Sequence, residues 1–288
     1  MKIANEWQDY KIIDMADGQK LEKWGDIILS RPDPQIIWKD KIYPEKWKKA
    51  DATYLRSKTG GGSWKYNKKL PANWQIKYKN LTFNIKPMGF KHTGLFPEQA
   101  VNWDWMINKI KSSKREIKVL NLFAYTGGAT VSCLSAGATV CHVDSSKGMT
   151  AWAKENVASS NLNEKKVRYI VDDVNKFVSR EIRRKNTYDA IIMDPPSYGR
   201  GAKGEVWQFE NNIYDLVELC THVLSDKPLF FLINSYTTGI SSTVLADILN
   251  LTVGKKYKGQ VEAGEIGLPM ENSKLILPCG IYGRWEEK

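Results

Sequence analysis

The chain has 288 residues, of which 42% are hydrophobic and 26% charged, a composition typical of a folded globular protein. No apolar run reaches the roughly 18–20 residues that a membrane-spanning helix needs, which argues against a helical membrane protein. The formal net charge of +11 makes a polyanion the first class of partner to consider.

Cysteine usage and the first residues both favour a cytoplasmic location. Residues 1–6 contain no apolar segment of the kind a secretory signal needs. The four cysteines, Cys133, Cys141, Cys220 and Cys279, are widely spaced and form no C-x-x-C pair. We therefore expect a reduced protein with buried thiols and without a zinc site or other metal. The sequence gives no indication of the oligomeric state.

Residues 1–90 are predicted to form a β-rich domain. A strand over residues 10–15 is followed by Asp17-Gly18, a dipeptide that favours a hairpin turn. The prolines in 31–34 fix the backbone of a rigid loop, because each proline restricts its own φ and the residue before it. Five more strands are predicted, over 24–29, 35–38, 64–66, 74–78 and 81–86.

Residues 39–91 carry the excess positive charge of the whole chain. This stretch has 14 lysines and arginines against three acids, and aromatic residues are interleaved among them. Lysines can hold phosphates while aromatic rings stack on bases, so the pattern predicts RNA binding through residues 39–91. The alternative is a solvated basic face whose rings fill a small core. We favour nucleic acid.

Residues 91–288 are predicted to form an α/β domain, with a loop over 90–99 that leads into a helix over 98–111. Beyond residue 117 strands and helices alternate, which indicates a parallel sheet covered on both faces. The predicted strands are 117–123, 139–143, 167–171, 189–193 and 228–234, with helices over 129–136, 147–159, 174–185 and 211–224. A helix over 242–250 and an antiparallel edge pair, 256–263 and 274–280 joined by a loop over 264–269, complete the domain.

The stretch around Gly127-Gly128 indicates a nucleoside-binding strand, turn and helix. A buried strand ends at Phe123, the two glycines break it, and a helix of small residues follows. Asp144 ends the next strand, where an acid can accept hydrogen bonds from a ribose. The dinucleotide pattern G-x-G-x-x-G is absent, and one Gly-Gly turn is enough for S-adenosylmethionine, which has no phosphate. An ordinary glycine turn is the alternative.

Acidic residues also end the next two strands. Asp172-Asp173 follows the third strand, where an acid can accept from the adenine amino group. The fourth strand ends in Asp194-Pro195-Pro196-Ser197-Tyr198, the sharpest motif in the chain. The two prolines fix the backbone, so the Asp194 carboxylate and the Pro195 carbonyl can together grip the edge of a base. Tyr198 can stack on a flipped or single-stranded base.

With these motifs in order, residues 90 to about 240 resemble the class I S-adenosylmethionine-dependent methyltransferases that modify bases of large-subunit ribosomal RNA, a group with cytosine-C5 and guanine-N7 members. The matching blocks are Thr93-Gly94-Leu95-Phe96 with Gln99, residues 121–127, residues 143–146, and Asp194-Pro195-Pro196. The resemblance implies a Rossmann-like seven-stranded domain preceded by a β-rich domain. It also implies cofactor-binding roles for Thr93, Phe123, Tyr125, Thr126, Gly127, Gly128, Asp144, Ser145, Asp172, Asp173 and Asp194.

The sequence departs from the C5 members after the fifth strand. Transfer to cytosine C5 needs a cysteine thiolate, and residues 233–237 read Ile-Asn-Ser-Tyr-Thr. Transfer to nitrogen needs no covalent intermediate, so we predict methylation of a base nitrogen, with Asp194, Pro195, Tyr198 and Asn234 as the catalytic group. Three alternatives remain open: a cytosine-C5 RNA methyltransferase, a methyltransferase for a small molecule or protein, and a non-catalytic RNA-binding relative.

Overall fold

A computed structural model of the chain describes residues 1–57, 61–200 and 206–288. The chain divides into two compact units. The larger unit contains Met1, Asn102–Ile266 and Gly280–Lys288, and the smaller unit contains Lys2–Val101 and Gly267–Cys279. The smaller unit thus extends beyond the predicted division at residue 90 and includes a segment from near the end of the chain.

Seven strands of a mixed sheet form the centre of the larger unit. Their spatial order is β16 (Gly259–Pro269), β17 (Ile276–Glu287), β15 (Phe230–Ser235), β12 (Ala190–Met193), β9 (Lys118–Leu122), β10 (Thr139–Asp144) and β11 (Val167–Val171). The strands from β9 to β12 and β15 run parallel to their neighbours, and β17 runs antiparallel to β15. These seven strands confirm the predicted Rossmann-like fold.

Helices connect these strands, as the alternating pattern predicts. They are α2 (Ala100–Ser112), α3 (Gly128–Ser135), α4 (Lys147–Ser159), α5 (Val174–Arg183), α6 (Phe209–Thr221), α7 (Ser242–Leu251) and α8 (Val253–Lys256). Polar side chains begin two of them: Ser146 Oγ accepts from the backbone N–H of Met149, and Asp173 Oδ1 from that of Lys176. One face of the sheet is apolar, and its residues Ile191, Met193 and Phe231 belong to a large buried cluster.

Two features of the larger unit differ from the prediction. The predicted loop over 264–269 lies within the long strand β16. Its glycines mark close packing: a Cβ on Gly259 would lie 2.4 Å from Cε2 of Trp285, and one on Gly264 would lie 3.2 Å from Oη of Tyr282. A short antiparallel hairpin, β13 (Tyr198–Arg200) with β14 (Val206–Gln208), was not predicted.

The smaller unit is β-rich, as predicted. Its elements are β1 (Lys2–Ile3), β2 (Tyr10–Ala16), β3 (Gln19–Trp24), β4 (Ile27–Pro32), α1 (Pro44–Trp47), β5 (Ala52–Arg56), β6 (Gly62–Tyr66), β7 (Trp74–Tyr78), β8 (Leu81–Ile85) and a 3-10 turn (Pro97–Gln99). A five-stranded sheet in the order β2-β3-β4-β5-β6 and a two-stranded sheet, β7-β8, form most of the unit. The hairpin at Asp17-Gly18 is confirmed, with φ values of 48° and 71°.

Two predicted strands of the smaller unit are wrong. The segment 24–29 contains a turn, because β3 ends at Trp24 and β4 begins at Ile27. The segment 35–38 is not a strand; the carbonyls of Ile36 and Trp38 instead accept from the backbone N–H groups of Gly18 and Asp17. The hydrogen bonds of that apolar segment therefore go to the hairpin turn and not to a sheet ladder.

Candidate active site

The carboxyl ends of four parallel strands lie at one level in the larger unit. Leu122 is the register partner of Val143 and of Met193, and Met193 is in turn the partner of Ile233. The residues that follow these positions are Phe123, Asp144, Asp194 and Asn234. The fold thus brings together four predicted site residues from distant parts of the chain, at the edge where open α/β sheets bind ligands.

The turn after β9 has an unusual backbone. Phe123 and Tyr125 have φ values of 53° and 49°, in the left-handed region that non-glycine residues seldom adopt, and Gly127 has a φ of 83°. Such backbone conformations concentrate at sites where the surrounding structure holds them for a function. Thr126, between Tyr125 and Gly127, is buried.

Packing against two helices explains the pair of glycines. A Cβ on Gly127 would lie 2.9 Å from the Cβ of Ala153 in α4. A Cβ on Gly128 would lie 2.8 Å from Cζ2 of Trp103 in α2. The glycines therefore let α2 and α4 approach the turn closely, a role that we had not predicted alongside ligand access.

The Asp144 carboxylate ties the glycine turn to the loop after β10. Its Oδ2 accepts from the backbone N–H of Tyr125 and its Oδ1 from that of Ser146, both at 2.8 Å. Burial raises the pKa of Asp144, and these two hydrogen bonds oppose the shift. Each carboxylate oxygen can accept a second hydrogen bond, so the group can also receive two hydroxyls. Ser145 lies between the two contacts and is exposed.

The paired acids after β11 have separate structural roles. Asp172 forms an ion pair with Arg180 and also accepts from the backbone N–H of Asp173. Asp173 caps α5 through its hydrogen bond with the N–H of Lys176, 2.9 Å long. The predicted adenine contact therefore falls on two carboxylates that already organise the start of α5, and it stays a prediction.

The Asp194-Pro195-Pro196 loop is held from outside by the unpredicted hairpin. The indole N–H of Trp207, in β14, donates to the carbonyl of Pro196 at 2.6 Å. The Trp207 ring also packs on Phe123, with ring centroids 5.3 Å apart. Pro195 is buried and Asp194 is half-buried. Trp207 thus links the proline loop to the turn after β9.

Tyr198 and Thr237 complete the surroundings of this loop. Tyr198 is 50% exposed in β13, so its ring is accessible for stacking. The Thr237 hydroxyl, after β15, donates to the Ser197 hydroxyl at 2.9 Å. This bond joins the proline loop to the segment that follows the fifth parallel strand.

Asn234 is buried and belongs to a polar cluster that we had not predicted. Its Oδ1 accepts from Nδ2 of Asn102 in α2 at 2.9 Å. The Asn102 oxygen in turn accepts from Nε and Nη2 of Arg284 in β17, with the Nε bond at 3.1 Å. Asn102 and Arg284 lie 182 positions apart and in no recognisable motif, so only the fold could reveal them.

A second buried polar cluster lies below the glycine turn. Nδ1 of His142 and Nδ2 of Asn121 both lie within hydrogen-bond distance of Thr130 Oγ1, at 2.9 and 3.0 Å. Nε2 of His142 has no hydrogen-bond partner among the residues that the structure describes. Burial lowers the pKa of His142 to about 4, so the ring is neutral at physiological pH.

Thr93 lies in the smaller unit, unlike the other predicted cofactor residues. It is fully buried, and its Oγ1 has no hydrogen-bond partner within the described part of the chain. A buried hydroxyl without a partner is uncommon. The predicted contact of Thr93 with the cofactor stays a prediction.

Two groups of the larger unit are chemically suited to parts of S-adenosylmethionine. The carboxylate of Asp144 suits the ribose hydroxyls. Helix α3 begins at Gly128 without a side-chain cap, so the first N–H groups of the helix suit a carboxylate such as that of the methionine portion. Neither the ribose hydroxyls nor the methionine carboxylate requires a phosphate-binding loop.

The basic stretch of the smaller unit is largely exposed, and several of its aromatic rings are not. Tyr54 and Tyr78 are buried core residues. The indole of Trp64 donates to Met88 O, and that of Trp47 to Asp14 Oδ2. One part of the alternative reading, that rings fill a small core, is therefore correct. Lys58 lies outside the described residues.

A groove on the five-stranded sheet combines a fixed ring with polar groups. Its volume is about 340 Å³, and Trp47, Lys41, Gln19, Ser30, Thr53 and Leu55 are among its lining residues. The Lys41 ammonium lies 4.7 Å from the centroid of the Trp47 ring. Lys65, the register partner of Thr53, extends the positive charge along the same face.

The cysteines are free thiols. Cys133, Cys141 and Cys220 are buried, and burial raises the pKa of Cys141 to about 11. Within residues 1–57, 61–200 and 206–288, three or more His, Cys, Asp or Glu side chains nowhere gather as metal ligands would. In the same ranges, every helix falls short of the length and apolarity that crossing a membrane requires.

Comparison with known proteins identifies the family of this chain. Residues 56–239 match the family model described as S-adenosylmethionine-dependent methyltransferase. The structure is similar to that of an S-adenosylmethionine-dependent methyltransferase from Agrobacterium tumefaciens, with a TM-score of 0.92 and 36% identity. The superposition covers 98% of this chain and 91% of that one.

Curated relatives share part of the sequence. The ribosomal RNA large subunit methyltransferase K/L of Shewanella sp. (strain ANA-3) is 34% identical over 43% of this chain and 17% of its own length. The protein of the same name from Syntrophotalea carbinolica is 27% identical over 61% of this chain and 24% of its own length. The chain thus spans about a quarter or less of these relatives. With the family model covering more than half of it, this chain belongs to the S-adenosylmethionine-dependent methyltransferases and is an enzyme that uses S-adenosylmethionine.

Proposed function

We propose that the enzyme methylates a nitrogen atom of an RNA base, with ribosomal RNA as the substrate class. The observation that carries this proposal is the convergence of Asp144, Asp194 and Asn234 at one sheet edge. No cysteine occurs in residues 194–197, after β12, or in residues 234–237, at the end of β15. The names of the curated relatives support the choice of ribosomal RNA.

The residues at this edge act by positioning. The bound cofactor supplies an electrophilic methyl group on its sulfonium. Asp194 and the Pro195 carbonyl accept from N–H groups of the base, and Tyr198 stacks on its ring. This grip aligns the lone pair of a base nitrogen for in-line attack, and correct alignment alone can lower a barrier substantially. No side chain has to become a nucleophile.

The buried thiols are consistent with transfer to nitrogen. A cytosine-C5 mechanism requires a thiolate that can reach C6 of the base. Cys220 is fully buried in α6, and burial raises the pKa of its thiol, so the thiolate is disfavoured there. Cys279 is in the smaller unit, and burial raises the pKa of its thiol too.

The smaller unit supplies the surface proposed for RNA. Exposed lysines lie along the stretch 39–91, and the groove beside Trp47 offers a fixed ring within that charge. Phosphate contacts of this kind make affinity fall with salt concentration. Because Lys48 forms an ion pair with Glu45 and Lys46 is only half-exposed, the exposed Lys41, Lys49 and Lys65 are the better residues to neutralise.

The proposal is tested by methyl transfer to ribosomal RNA from a strain that lacks the gene. Purified enzyme and labelled S-adenosylmethionine should modify that RNA but not wild-type RNA, and mass mapping should place the methyl group on a base nitrogen. Asp194→Ala should remove the activity and keep cofactor binding. A covalent adduct with RNA containing 5-fluorocytosine, or a product methylated at carbon, would contradict the proposal.

Charge variants test the substrate class separately. Neutralising Lys41, Lys49 and Lys65 together should reduce the salt dependence of RNA affinity by up to about three counterions. The matched control neutralises three exposed lysines of the larger unit, Lys165, Lys185 and Lys227. Equal effects of the two triple variants would remove the smaller unit from the proposed RNA surface.

A further inference from the structure

Three buried polar side chains form a chain of hydrogen bonds that ends at the proposed active site. Arg284 is 3% exposed, Asn102 is 0% exposed, and Asn234 is 3% exposed. Arg284 donates to the side-chain oxygen of Asn102, and Asn102 donates to the side-chain oxygen of Asn234 at 2.9 Å. Asn234 lies one residue beyond Ile233, the register partner of Met193, and so stands level with Asp194 on the neighbouring strand.

Burying the guanidinium of Arg284 costs free energy, so a contribution to stability does not by itself explain its position. Its guanidinium lies between two rings, 4.6 Å from the centroid of Trp105 and 4.5 Å from that of Tyr282. It forms an ion pair with the half-exposed Glu262, at 4.0 Å. A guanidinium buried between rings is poor evidence for a stabilising role, because apolar residues often replace buried charges without loss.

The chemistry of Arg284 fixes the orientation of both amides. A guanidinium can only donate hydrogen bonds, so the group of Asn102 that faces it must be the oxygen. The Asn102 nitrogen then faces Asn234, which must present its own oxygen to that nitrogen. The Asn234 nitrogen is consequently directed away from Asn102, as a donor. The orientation of an asparagine amide is often ambiguous, but here a donor-only residue determines it.

We propose that Asn234 donates a hydrogen bond to an acceptor on the target base, and that Asn102 and Arg284 are positioning residues that fix this polarity. The inference rests on the proposed function, because it assigns the base as the partner of Asn234. The base would present a carbonyl oxygen or an unprotonated ring nitrogen to this donor. Asp194 and the Pro195 carbonyl supply the complementary acceptors.

The decisive variant is Asn102→Asp. The new carboxylate can accept from Arg284 as a buried ion pair, so the fold has no reason to weaken. Its second oxygen now faces Asn234 and can only accept. Asn234 must therefore turn its nitrogen toward residue 102 and direct its oxygen toward the base.

We expect Asn102→Asp to keep or raise the melting temperature, to bind S-adenosylmethionine within about twofold of wild type, and to lose about 10–100-fold in kcat/KM on RNA, the cost of an acceptor facing an acceptor. A purely structural role predicts unchanged activity in this variant, because its polar groups are all satisfied. A stable Asn102→Asp enzyme with wild-type kcat/KM would overturn the proposal.

A second variant keeps the test informative if Asn102→Asp does not fold. In Asn234→Asp, Asn102 still donates to residue 234, and the outward atom becomes an acceptor. It should lose activity to a similar extent, and wild-type activity in this variant would also overturn the proposal. Glu262→Gln serves as the control, because it changes a charge beside Arg284 without altering either amide, and it should leave activity unchanged.

The outcome separates this inference from the proposed function. A wild-type enzyme that methylates no RNA contradicts the proposed function. If the wild-type enzyme is active and the Asn102→Asp and Asn234→Asp variants are as active as the wild type, only the proposed donation from the Asn234 amide to the base is contradicted.

Discussion

The indole of Trp207 donates a hydrogen bond of 2.6 Å to the carbonyl oxygen of Pro196. Trp207→Phe keeps an aromatic ring against Phe123 and removes this bond, so the Asp194-Pro195 segment should become less well positioned. We expect kcat on RNA to fall about tenfold, since small misplacements of reacting groups are costly. Steady-state kinetics and calorimetry check this, with cofactor affinity expected to stay near wild type. Tyr214→Phe, on the exposed face of α6, is the control.

Asp144 should contribute strongly to cofactor affinity. Asp144→Ala removes the proposed ribose acceptor and the two hydrogen bonds to Tyr125 and Ser146. Affinity for S-adenosylmethionine should fall by about 1–3 kcal/mol, the usual cost of unpaired buried polar groups. Isothermal titration measures this directly. The control is Asp226→Asn, an exposed acid of the same unit, and equal affinity of Asp144→Ala and wild type would contradict the assignment.

The two glycines of the turn should be needed for stability as well as for binding. Gly128→Ala places its Cβ 2.8 Å from Trp103, so the free energy of unfolding should fall by about 1–3 kcal/mol. Gly128→Ala should cost less in a Trp103→Leu background than in the wild type, because the ring that clashes is gone. Urea unfolding measures both effects.

Gly137→Ala separates packing from backbone strain. Gly137 has a φ of 97°, and a Cβ there would meet no atom within 4 Å. The free energy of unfolding of this variant should therefore fall only by the cost of the backbone strain, about 1–2 kcal/mol. Gly127→Ala has both strain and the contact with Ala153, so it should be less stable than Gly137→Ala; the reverse order would contradict the packing explanation.

Stability should fall as pH drops from 6.5 toward 4, because of His142. Burial lowers its folded pKa to about 4, whereas the unfolded chain takes up this proton near 6.5. Within that window the unfolded state binds more protons than the folded state, so the free energy of unfolding rises with pH. The full contribution of His142 to stability is therefore present above pH 6.5. Chemical unfolding at several pH values should show a smaller slope for His142→Gln.

Two other groups help to interpret that pH profile. Burial and the nearby positive charges of Arg31, Lys91 and Lys20 lower the pKa of His92 to about 4, so His92→Gln should reduce the slope in the same window. Glu22 acts at lower pH. Despite its burial, the charges of Arg31 and Lys20 lower its pKa to about 2, and its contribution is lost as pH falls from 4.5. His222→Gln, at an exposed position, is the control.

The sequence predicted which sheet edge carries the candidate site residues because its signals are local. An apolar run, a Gly-Gly break and Asp144 are close in the chain. The apolar residues of each strand and helix there also recur at the spacing typical of that element. The hairpin that carries Trp207 gave no such signal, since β13 and β14 have three residues each. Arg284 and Asn102 could not be predicted, because their pairing depends on where β17 enters the sheet.

The wrong and missed strand predictions in the smaller unit have a similar origin. The segment 35–38 has the apolar residues of a strand, but its carbonyls are satisfied by the hairpin turn at Asp17-Gly18. The strand Ala52–Arg56 was missed, although it lies between β4 and β6 in the sheet. Short strands of this kind are decided by their neighbours more than by their own residues.

The two-segment composition of the smaller unit limits how this protein can fold during synthesis. Most small units can fold as they leave the ribosome, with the N-terminal one first. Here the smaller unit includes Gly267–Cys279, so it stays incomplete until that segment has been synthesised, long after Val101. The larger unit waits longer still, because β17 lies between β15 and β16 and ends at Glu287. Neither unit can therefore complete its native structure while only its N-terminal part has been synthesised.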